Sequence, residues 1–477
     1  MSKVSPRKAA ILAAFEANAA KRQMFRRRAA FFHEEDLRYL RFLIPAGLRV
    51  LEIGCGTGDV LAGLDPSYGL GVDFSAATIA QARRLHSGLE FRVGDAEDAD
   101  FIASLPGPFD VILIVDTIGA MDDCQATLDS LHRLCARETR LVVAYYSHLW
   151  GPLLGVAEWI GWRMRQPPEN VLSPADIRAL AELADMERIK SEARLLSPLR
   201  LFGLGRLINR FVSMLPIVRL MSLRHYSVFR SLRKCREEVR SASVVIPARN
   251  ERGNIEPAIA RLPKFCDDIE IIFVEGHSRD NTLAEMRRVA AAYPDRDIKV
   301  LQQPGKGKAD AVFAAFDAAR GDVLMILDAD LTVPPEQLPK FWDALASGKG
   351  EFINGSRLVY PMQEEAMKFL NLAANRGFSL LFSYLLNQRF TDTLCGTKVI
   401  RRSDYRRLKR GRAYFGDFDP FGDFDLVFGA AKLNLRCVEV PIRYASRTYG
   451  ESQISRFRHG LMLVKMVVFA FFRIKAL

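Results

Sequence analysis

The stretch Val323-Leu-Met-Ile-Leu-Asp-Ala-Asp330 is the clearest sign of the fold. An apolar run followed by two carboxylates, Asp328 and Asp330, is typical of a buried strand that ends at the surface. Ligands of open α/β sheets bind at such strand ends. Two carboxylates there suit Mg²⁺ or Mn²⁺, which would hold the diphosphate of a nucleotide substrate. The alternative is that both side chains only cap the turn that follows.

The length of 477 residues favours two or more domains. The hydrophobic fraction of 49% and the charged fraction of 26% are those of a folded globular protein. The seven cysteines are scattered without Cys-x-x-Cys spacing, so neither a zinc site nor a disulfide framework is indicated. We therefore expect a reducing, cytoplasmic environment.

The net charge of +12 is concentrated in two segments, 194–240 and 441–477, in which basic residues alternate with apolar ones. This pattern is typical of a membrane-surface contact, where apolar side chains and anionic head groups act together. Nucleic acid is a less favoured partner because no nucleic-acid-binding motif accompanies the charge. No stretch reaches the roughly 20 apolar residues that a spanning helix needs. We expect peripheral association with the inner face of a membrane.

The first half carries the glycine-rich turn Glu52-Ile-Gly-Cys-Gly-Thr-Gly58 between a β-type run and a helix pattern. Glycines at such a turn let a ligand approach the backbone. The third glycine comes one position earlier than in the dinucleotide-binding motif, which counts against NAD. Two later β-type runs end in the acids Asp73 and Asp95, and Asp73 lies where an acid would accept hydrogen bonds from a ribose.

These motifs resemble those of the class I S-adenosylmethionine-dependent methyltransferases over residues 30–190. The resemblance implies that Gly54, Gly56 and Gly58 surround the amino-acid end of the cofactor and that Glu52 orients this turn. It also implies that Asp73 binds the ribose and Asp95 the adenine. The alternative is a methyltransferase-like domain without catalysis, which would dock the protein on a membrane or partner.

A second strand and helix alternation begins after about Glu237, with β-type runs at 242–247, 269–275 and 298–301. It predicts a second parallel sheet covered by helices on both faces. The first run opens into Pro247-Ala-Arg-Asn-Glu251, and the second ends at Glu275. The loop Gly305-Lys-Gly-Lys-Ala-Asp310 contains Lys308 and is suited to phosphate contact.

This half resembles the inverting family 2 glycosyltransferases with the GT-A fold, most closely their dolichyl- or polyprenyl-phosphate sugar transferase branch, over residues 243–459. The resemblance implies a metal site at Asp328 and Asp330. Glu275 is followed by Gly276 where the family usually has paired Asp, so the base of the donor stays open. The resemblance also implies a set of residues that bind the nucleotide sugar: Pro247, Arg249, Asn250, Glu251, Glu275, Lys308, Asp328, Arg447 and Ser452.

We therefore predict an α/β protein with two Rossmann-like domains, a class I methyltransferase fold followed by a GT-A fold. Residues 1–236 form the first, ending in a connector at about 195–236, and residues 237–477 form the second, ending in an amphipathic tail. The expected reaction is metal-dependent, inverting sugar transfer from a nucleotide sugar to a polyprenyl-phosphate or glycan acceptor. Asp330 would assist the leaving group. A hydroxyl acceptor would need Asp423 or Asp425 as base, whereas a phosphate acceptor would not.

Overall fold

A computed structural model describes residues 5–167, 169–236, 238–360, 369–414, 423–447, 449–450 and 456–477. The chain divides into two compact units. The first unit comprises Met1–Cys235 together with Lys475–Leu477, and the second comprises Arg236–Ile474.

Seven strands of the described first unit form one sheet, in the order β3-β2-β1-β4-β5-β7-β6. The strands are β1 Arg49–Ile53, β2 Tyr68–Asp73, β3 Glu90–Val93, β4 Phe109–Val115, β5 Cys135–Tyr146, β6 Met186–Arg194 and β7 Arg224–Ser231. The helices of this unit are α1 Pro6–Arg28, α2 Ala30–Leu43, α3 Asp59–Gly63, α4 Ala76–Leu85, α5 Ala99–Ala103, α6 Cys124–Ser130, α7 Gly151–Trp159, α8 Pro174–Leu183 and α9 Leu204–Leu207.

Strands β1 to β5 run parallel, with β1 between β2 and β4. Their apolar residues are buried on both faces, as expected for a parallel sheet covered by helices. The glycine-rich turn follows β1 and Asp73 ends β2, so both lie at the carboxyl edge of the sheet. This edge is where the sequence predicted the cofactor.

The prediction of a connector at 195–236 needs a correction. Its residues Arg224–Ser231 form strand β7, which is antiparallel to both β5 and β6. Arg224 and Arg230 are buried in this strand. Arg224 is buried because the carboxylate of Asp36 lies 3.1 Å from its Nε and Asp116 contacts its Nη1. The basic residues of β7 therefore belong to the interior of the sheet and cannot contact a membrane.

Seven strands of the described second unit form another sheet, in the order β10-β9-β8-β11-β13-β12-β14. The strands are β8 Ser241–Ala248, β9 Asp268–Glu275, β10 Asp297–Gln302, β11 Val323–Ile326, β12 Phe352–Ser356, β13 Lys398–Arg401 and β14 Cys437–Pro441. The helices are α10 Ile255–Ala260, α11 Thr282–Ala292, α12 Lys308–Ala318, α13 Leu338–Ala346, α14 Phe369–Leu386, α15 Arg402–Gly411, α16 Asp423–Lys432 and α17 Arg456–Ala470.

The second sheet is mixed, whereas the strand and helix alternation predicted a parallel sheet. Strand β11 is parallel to β8, but β13 is antiparallel to both β11 and β12. The apolar pattern of a short buried strand reports its burial and not its direction, so the sequence could not reveal this reversal. The reversal matters because the segment leading into β13 starts from the edge of the sheet where Asp328 lies.

Candidate functional site

The glycine-rich turn of the first unit is closely packed. Gly54 and Gly56 have φ angles of 71° and 53°, in the left-handed region that favours glycine. A Cβ atom on Gly54 would lie 2.0 Å from the Thr117 Oγ1 atom. These constraints explain why glycine is needed here, and Gly54 also lines a pocket.

Two carboxylates hold this turn in place. The backbone N–H of Gly56 donates to Asp73 across 3.0 Å, and the N–H of Leu61 donates to Glu52 across 3.1 Å. Burial raises the pKa of both side chains, that of Glu52 to about 8. Asp73 also lines a pocket with Gly54, Asp95 and Thr117. The structure therefore brings together Gly54, Asp73 and Asp95, three of the predicted cofactor residues.

Helix α1 lines the same pocket, which the sequence analysis missed. The Nζ atom of Lys8 lies 2.5 Å from Asp95 and also contacts Glu97. The guanidinium of Arg7 lies 2.6 Å from Asp122 and donates to the carbonyl of Gly119 across 2.9 Å. The Ala-rich sequence of α1 gives no sign of a binding role, and only the basic positions could have suggested one.

Arg22 of α1 lies against the glycine-rich turn. Its Nη1 atom is 3.1 Å from the position that a Cβ atom on Gly56 would take. Its Nε atom is buried and has no hydrogen-bond partner in the described part of the chain. Such an atom calls for an acceptor. The amino-acid carboxylate of S-adenosylmethionine fits this donor, which lies beside the glycine-rich turn.

In the second unit, the two acids that follow β11 are each held by a cation. Lys308 Nζ lies 2.6 Å from Asp328, and Arg447 Nη2 donates to Asp330 across 2.6 Å. Although burial opposes it, the contact with Lys308 lowers the pKa of Asp328. Asp330 also accepts hydrogen bonds from the backbone and hydroxyl of Thr332, at 3.1 and 2.8 Å.

Arg447 connects this acid pair to the loop after β8. Its Nη1 atom donates to Glu251 across 3.1 Å. Burial raises the pKa of Glu251, while Asn254 and Arg447 oppose that shift. Glu251, Asp330 and Arg447, which the sequence placed in one site, are therefore brought together.

The loops after β8 and β9 are tied to each other. Asn250, with a φ of 58°, accepts a hydrogen bond from the backbone of Arg279 across 2.8 Å. Glu275 accepts one from the backbone of Ser278 across 2.5 Å; this bond lowers the pKa of Glu275 although burial opposes it. Arg249 is exposed beside this pair, and Pro247 lies within β8.

Gly396 packs directly against the acid pair, in the segment before β13. A Cβ atom on it would lie 2.0 Å from Asp328 Oδ2 and 2.6 Å from Lys308 Nζ. Gly396 therefore touches Asp328, a contact that joins residues remote in the sequence. A Cβ atom on Gly253, in the loop after β8, would lie 2.6 Å from the ring of Tyr449.

Three predicted site residues remain: Asp423, Asp425 and Ser452. Asp425 is buried and pairs with Arg412 across 2.9 Å. Asp423 begins α16, but its side chain, like the whole of Ser452, lies outside the described residues.

The acid pair could supply only some of the ligands of a metal ion. Among the described residues, no group of three or more His, Cys, Asp or Glu side chains is arranged to hold a metal. Mg²⁺ bound with a nucleotide commonly takes one or two carboxylates and completes its shell with phosphate oxygens and water. Asp328 and Asp330 fit a site in which the protein provides two carboxylates and the nucleotide and water provide the other ligands.

Each of the two units contains a segment that matches a known protein family. Residues 243–409 match the family "Glycosyl transferase family 2", and residues 20–187 match the family "Methyltransferase domain".

Individual relatives match the second half. The polyprenol monophosphomannose synthase of Mycolicibacterium smegmatis is 30% identical over 44% of this chain and 80% of its own. The dolichol-phosphate mannosyltransferase of Pyrococcus furiosus is 29% identical over 44% of this chain and 58% of its own. The chain thus spans less than two thirds of the length of the latter relative.

A solved structure matches the first half. It is a SAM-dependent methyltransferase, possible histamine N-methyltransferase, from Thermotoga maritima, 19% identical over 46% of this chain and 99% of its own. Its TM-score of 0.35 adds nothing to the assignment, which depends on the strand order and the family matches. The chain belongs to glycosyl transferase family 2, and it joins to that glycosyltransferase a class I methyltransferase domain.

Proposed function

We propose that the second unit transfers a sugar from a nucleoside-diphosphate sugar to a polyprenyl phosphate, with inversion at the anomeric carbon. The observation that carries this proposal is the acid pair after β11, in which Asp328 contacts Lys308 and Asp330 contacts Arg447. Two carboxylates and two cations at one strand end match the charges of a diphosphate and its divalent metal ion.

Each residue of this cluster has a task in the reaction. A bond forms between the acceptor oxygen and the anomeric carbon, and the bond to the diphosphate oxygen breaks, leaving its electron pair on the nucleoside diphosphate. Asp328 and Asp330 would hold Mg²⁺ or Mn²⁺, which neutralises charge on the diphosphate. Lys308 and Arg447 would stabilise the same charge as it grows. Asn250, Glu251 and Glu275 would bind the nucleoside.

A polyprenyl-phosphate acceptor is supported by three observations. The Mycolicibacterium and Pyrococcus relatives are named for polyprenol and dolichol-phosphate substrates. Asp425 is held by Arg412, so it is poorly placed to serve as a base, and an ionised phosphate needs none. Helix α17 and the helical turn Phe471–Lys475 that follows it expose apolar side chains, which suits the surface of a membrane: Leu461, Val464, Val468 and Phe472.

We propose that the protein associates peripherally with the inner face of a membrane through this tail. Within the ranges that the structure covers, no helix is both long and apolar enough to cross a bilayer.

The acceptor is tested by removing both candidate bases. With undecaprenyl phosphate as acceptor, the Asp423→Asn and Asp425→Asn double variant should retain sugar transfer within a few fold. Loss of transfer in a variant that keeps its thermal stability would contradict the phosphate acceptor and favour a hydroxyl of a glycan.

We further propose that the first unit binds S-adenosylmethionine and methylates a molecule of the same glycan or lipid pathway. The pocket lined by Gly54 and Asp73 supports cofactor binding. So does the Nε atom of Arg22, which has no hydrogen-bond partner among the described residues. Bound there, the cofactor would supply an electrophilic methyl group. Asp73 would bind the ribose, Asp95 the adenine and Arg22 the carboxylate.

A docking domain without catalysis is the competing function for this unit. Calorimetry with S-adenosylmethionine separates the two, with Gly56→Arg as the variant that fills the turn. Binding that disappears in Gly56→Arg is expected for a methyltransferase, whereas no binding by the wild-type protein would favour docking.

A further inference from the structure

The first unit exposes an unusual apolar surface made of two segments, residues 149–162 and 199–221. Helix α7, which is described throughout, carries only one charged residue, Glu158, yet none of its residues is buried. A helix of this composition is normally found inside a protein or against a membrane. Large apolar side chains of the second segment are also exposed: Leu199, Leu201, Phe202, Leu204, Leu207, Phe211, Val212, Leu215, Ile217, Leu220 and Met221.

The two segments form one surface, which we call the apolar face. The indole N–H of Trp150 donates to the carbonyl of Met221 across 2.7 Å. Trp150 and Leu154 also pack on a small core cluster that contains Phe32 and Leu223. This cluster anchors both segments. Met214 of the second segment is also buried, but most of the large apolar side chains of both segments are exposed. Isolated exposed apolar residues are common, but a continuous patch marks an interaction site.

A strained turn raises Phe202 from this face. Leu201, Phe202 and Gly203 have consecutive φ angles of 44°, 53° and 100°. Positive φ is unfavourable for the first two residues, and the Phe202 ring is fully exposed. The chain therefore tolerates backbone strain in order to present an aromatic ring to solvent, which is a sign of function at that position.

The composition of the apolar face selects one kind of partner. Its second segment, residues 199–221, contains no acidic residue and four arginines: Arg200, Arg206, Arg210 and Arg219. Arg200 and Arg206 pair with Glu34 and Glu35 of α2. Trp159 and Trp162 are 87% and 67% exposed. Tryptophan and arginine beside aliphatic side chains match the boundary between the acyl chains and anionic head groups of a bilayer.

We propose that the apolar face docks the methyltransferase unit on an anionic lipid bilayer, with Phe202, Trp159 and Trp162 inserted at the head-group level. The proposal rests on the proposed function only in placing the protein at a membrane. It is separate from the contact by helix α17, and it replaces the membrane role first expected of the whole segment 194–240.

The test uses the full-length protein and vesicles of phosphatidylcholine with and without phosphatidylglycerol. Brominated acyl chains should quench the fluorescence of Trp159 and Trp162 only in the anionic vesicles, and the Trp159→Phe and Trp162→Phe double variant should lose that quenching. The Arg210→Gln variant should bind these vesicles about fivefold more weakly, because each arginine near the surface contributes roughly 1 kcal/mol.

Phe202→Gly gives a second, independent readout. Glycine adopts positive φ without strain, so this variant should be at least as stable as the wild-type protein while it binds vesicles more weakly. Leu85→Ser and Leu183→Ser, at exposed positions of α4 and α8, are the matched controls and should bind like the wild-type protein.

Three results would overturn the proposal. Tryptophan fluorescence that vesicles leave unchanged would exclude insertion. A lower thermal stability of Phe202→Gly would show that the ring serves folding. A dimer in sedimentation experiments that dissociates in Phe202→Gly would show that a second copy covers the face. Sugar transfer to undecaprenyl phosphate, measured in parallel, can persist in each case, so failure of docking is distinguishable from failure of the glycosyltransferase proposal.

Discussion

Arg447 and Asp330, which are 117 positions apart in the chain, form a charge-assisted hydrogen bond of 2.6 Å. The same guanidinium donates to Glu251 across 3.1 Å, so one side chain joins the loop after β8, the acids after β11 and the segment after β14. Because these hydrogen bonds need all three segments in place, the proposed donor site would be complete only when the three segments meet. The proposed reaction depends on this cluster.

Asp330→Asn should lower sugar transfer at least about a hundredfold, because it removes a charge that balances both the metal and Arg447. Initial rates with a nucleotide sugar and Mn²⁺ measure this effect. Asp317→Asn is the control: Asp317 bonds the Tyr405 hydroxyl at 2.9 Å in the same unit, and this variant should keep the wild-type rate. Equal rates in both variants would exclude Asp330 from the site.

Gly396→Ala should reduce sugar transfer about tenfold or more, because the new methyl group would overlap Asp328 and Lys308. Gly377→Ala in α14, where nothing lies within 4 Å of the added Cβ, should be nearly neutral. Steady-state kinetics of the two variants provide the comparison. A fully active Gly396→Ala would mean that the segment before β13 does not constrain the acid pair.

Arg22→Ala should weaken S-adenosylmethionine binding about tenfold or more, as expected for loss of a hydrogen bond to a charged group. Its binding of 5′-methylthioadenosine, which lacks the amino-acid carboxylate, should not change. Calorimetry with both ligands isolates the carboxylate contact. A similar loss for both ligands would assign Arg22 a purely structural role.

The stability of the first unit should depend on pH through Glu52. Burial raises its pKa from 4.5 to about 8, so the folded protein binds more protons than the unfolded chain between these values. The contribution is fully present below about pH 4.5 and is lost as the pH rises towards 8. Thermal unfolding from pH 6 to 8 should therefore show a smaller decrease in Tm for Glu52→Gln than for the wild-type protein. Parallel decreases would contradict this assignment.

Much of the architecture was predictable because it depends on local patterns. The apolar run before Asp328 and the glycine-rich turn before Gly58 are encoded within a few residues, and both lie at the carboxyl edges of their sheets as predicted.

Features that depend on remote partners were not predictable. Arg224 looks like a surface residue in the sequence, and only Asp36 and Asp116 explain its burial in β7. Likewise, the Ala-rich sequence of α1 gives no sign that Arg22 lies against Gly56, because that contact is set by packing rather than by periodicity.

The central claim is that Asp328 and Asp330 bind the metal-bound diphosphate of a nucleotide sugar. The most direct measurement is calorimetry of nucleoside diphosphate binding with and without Mn²⁺, in the wild-type protein and in the Asp328→Asn and Asp330→Asn double variant. We predict binding that requires Mn²⁺ and is lost in a stably folded double variant. Binding of equal strength without Mn²⁺, or in the double variant, would contradict it.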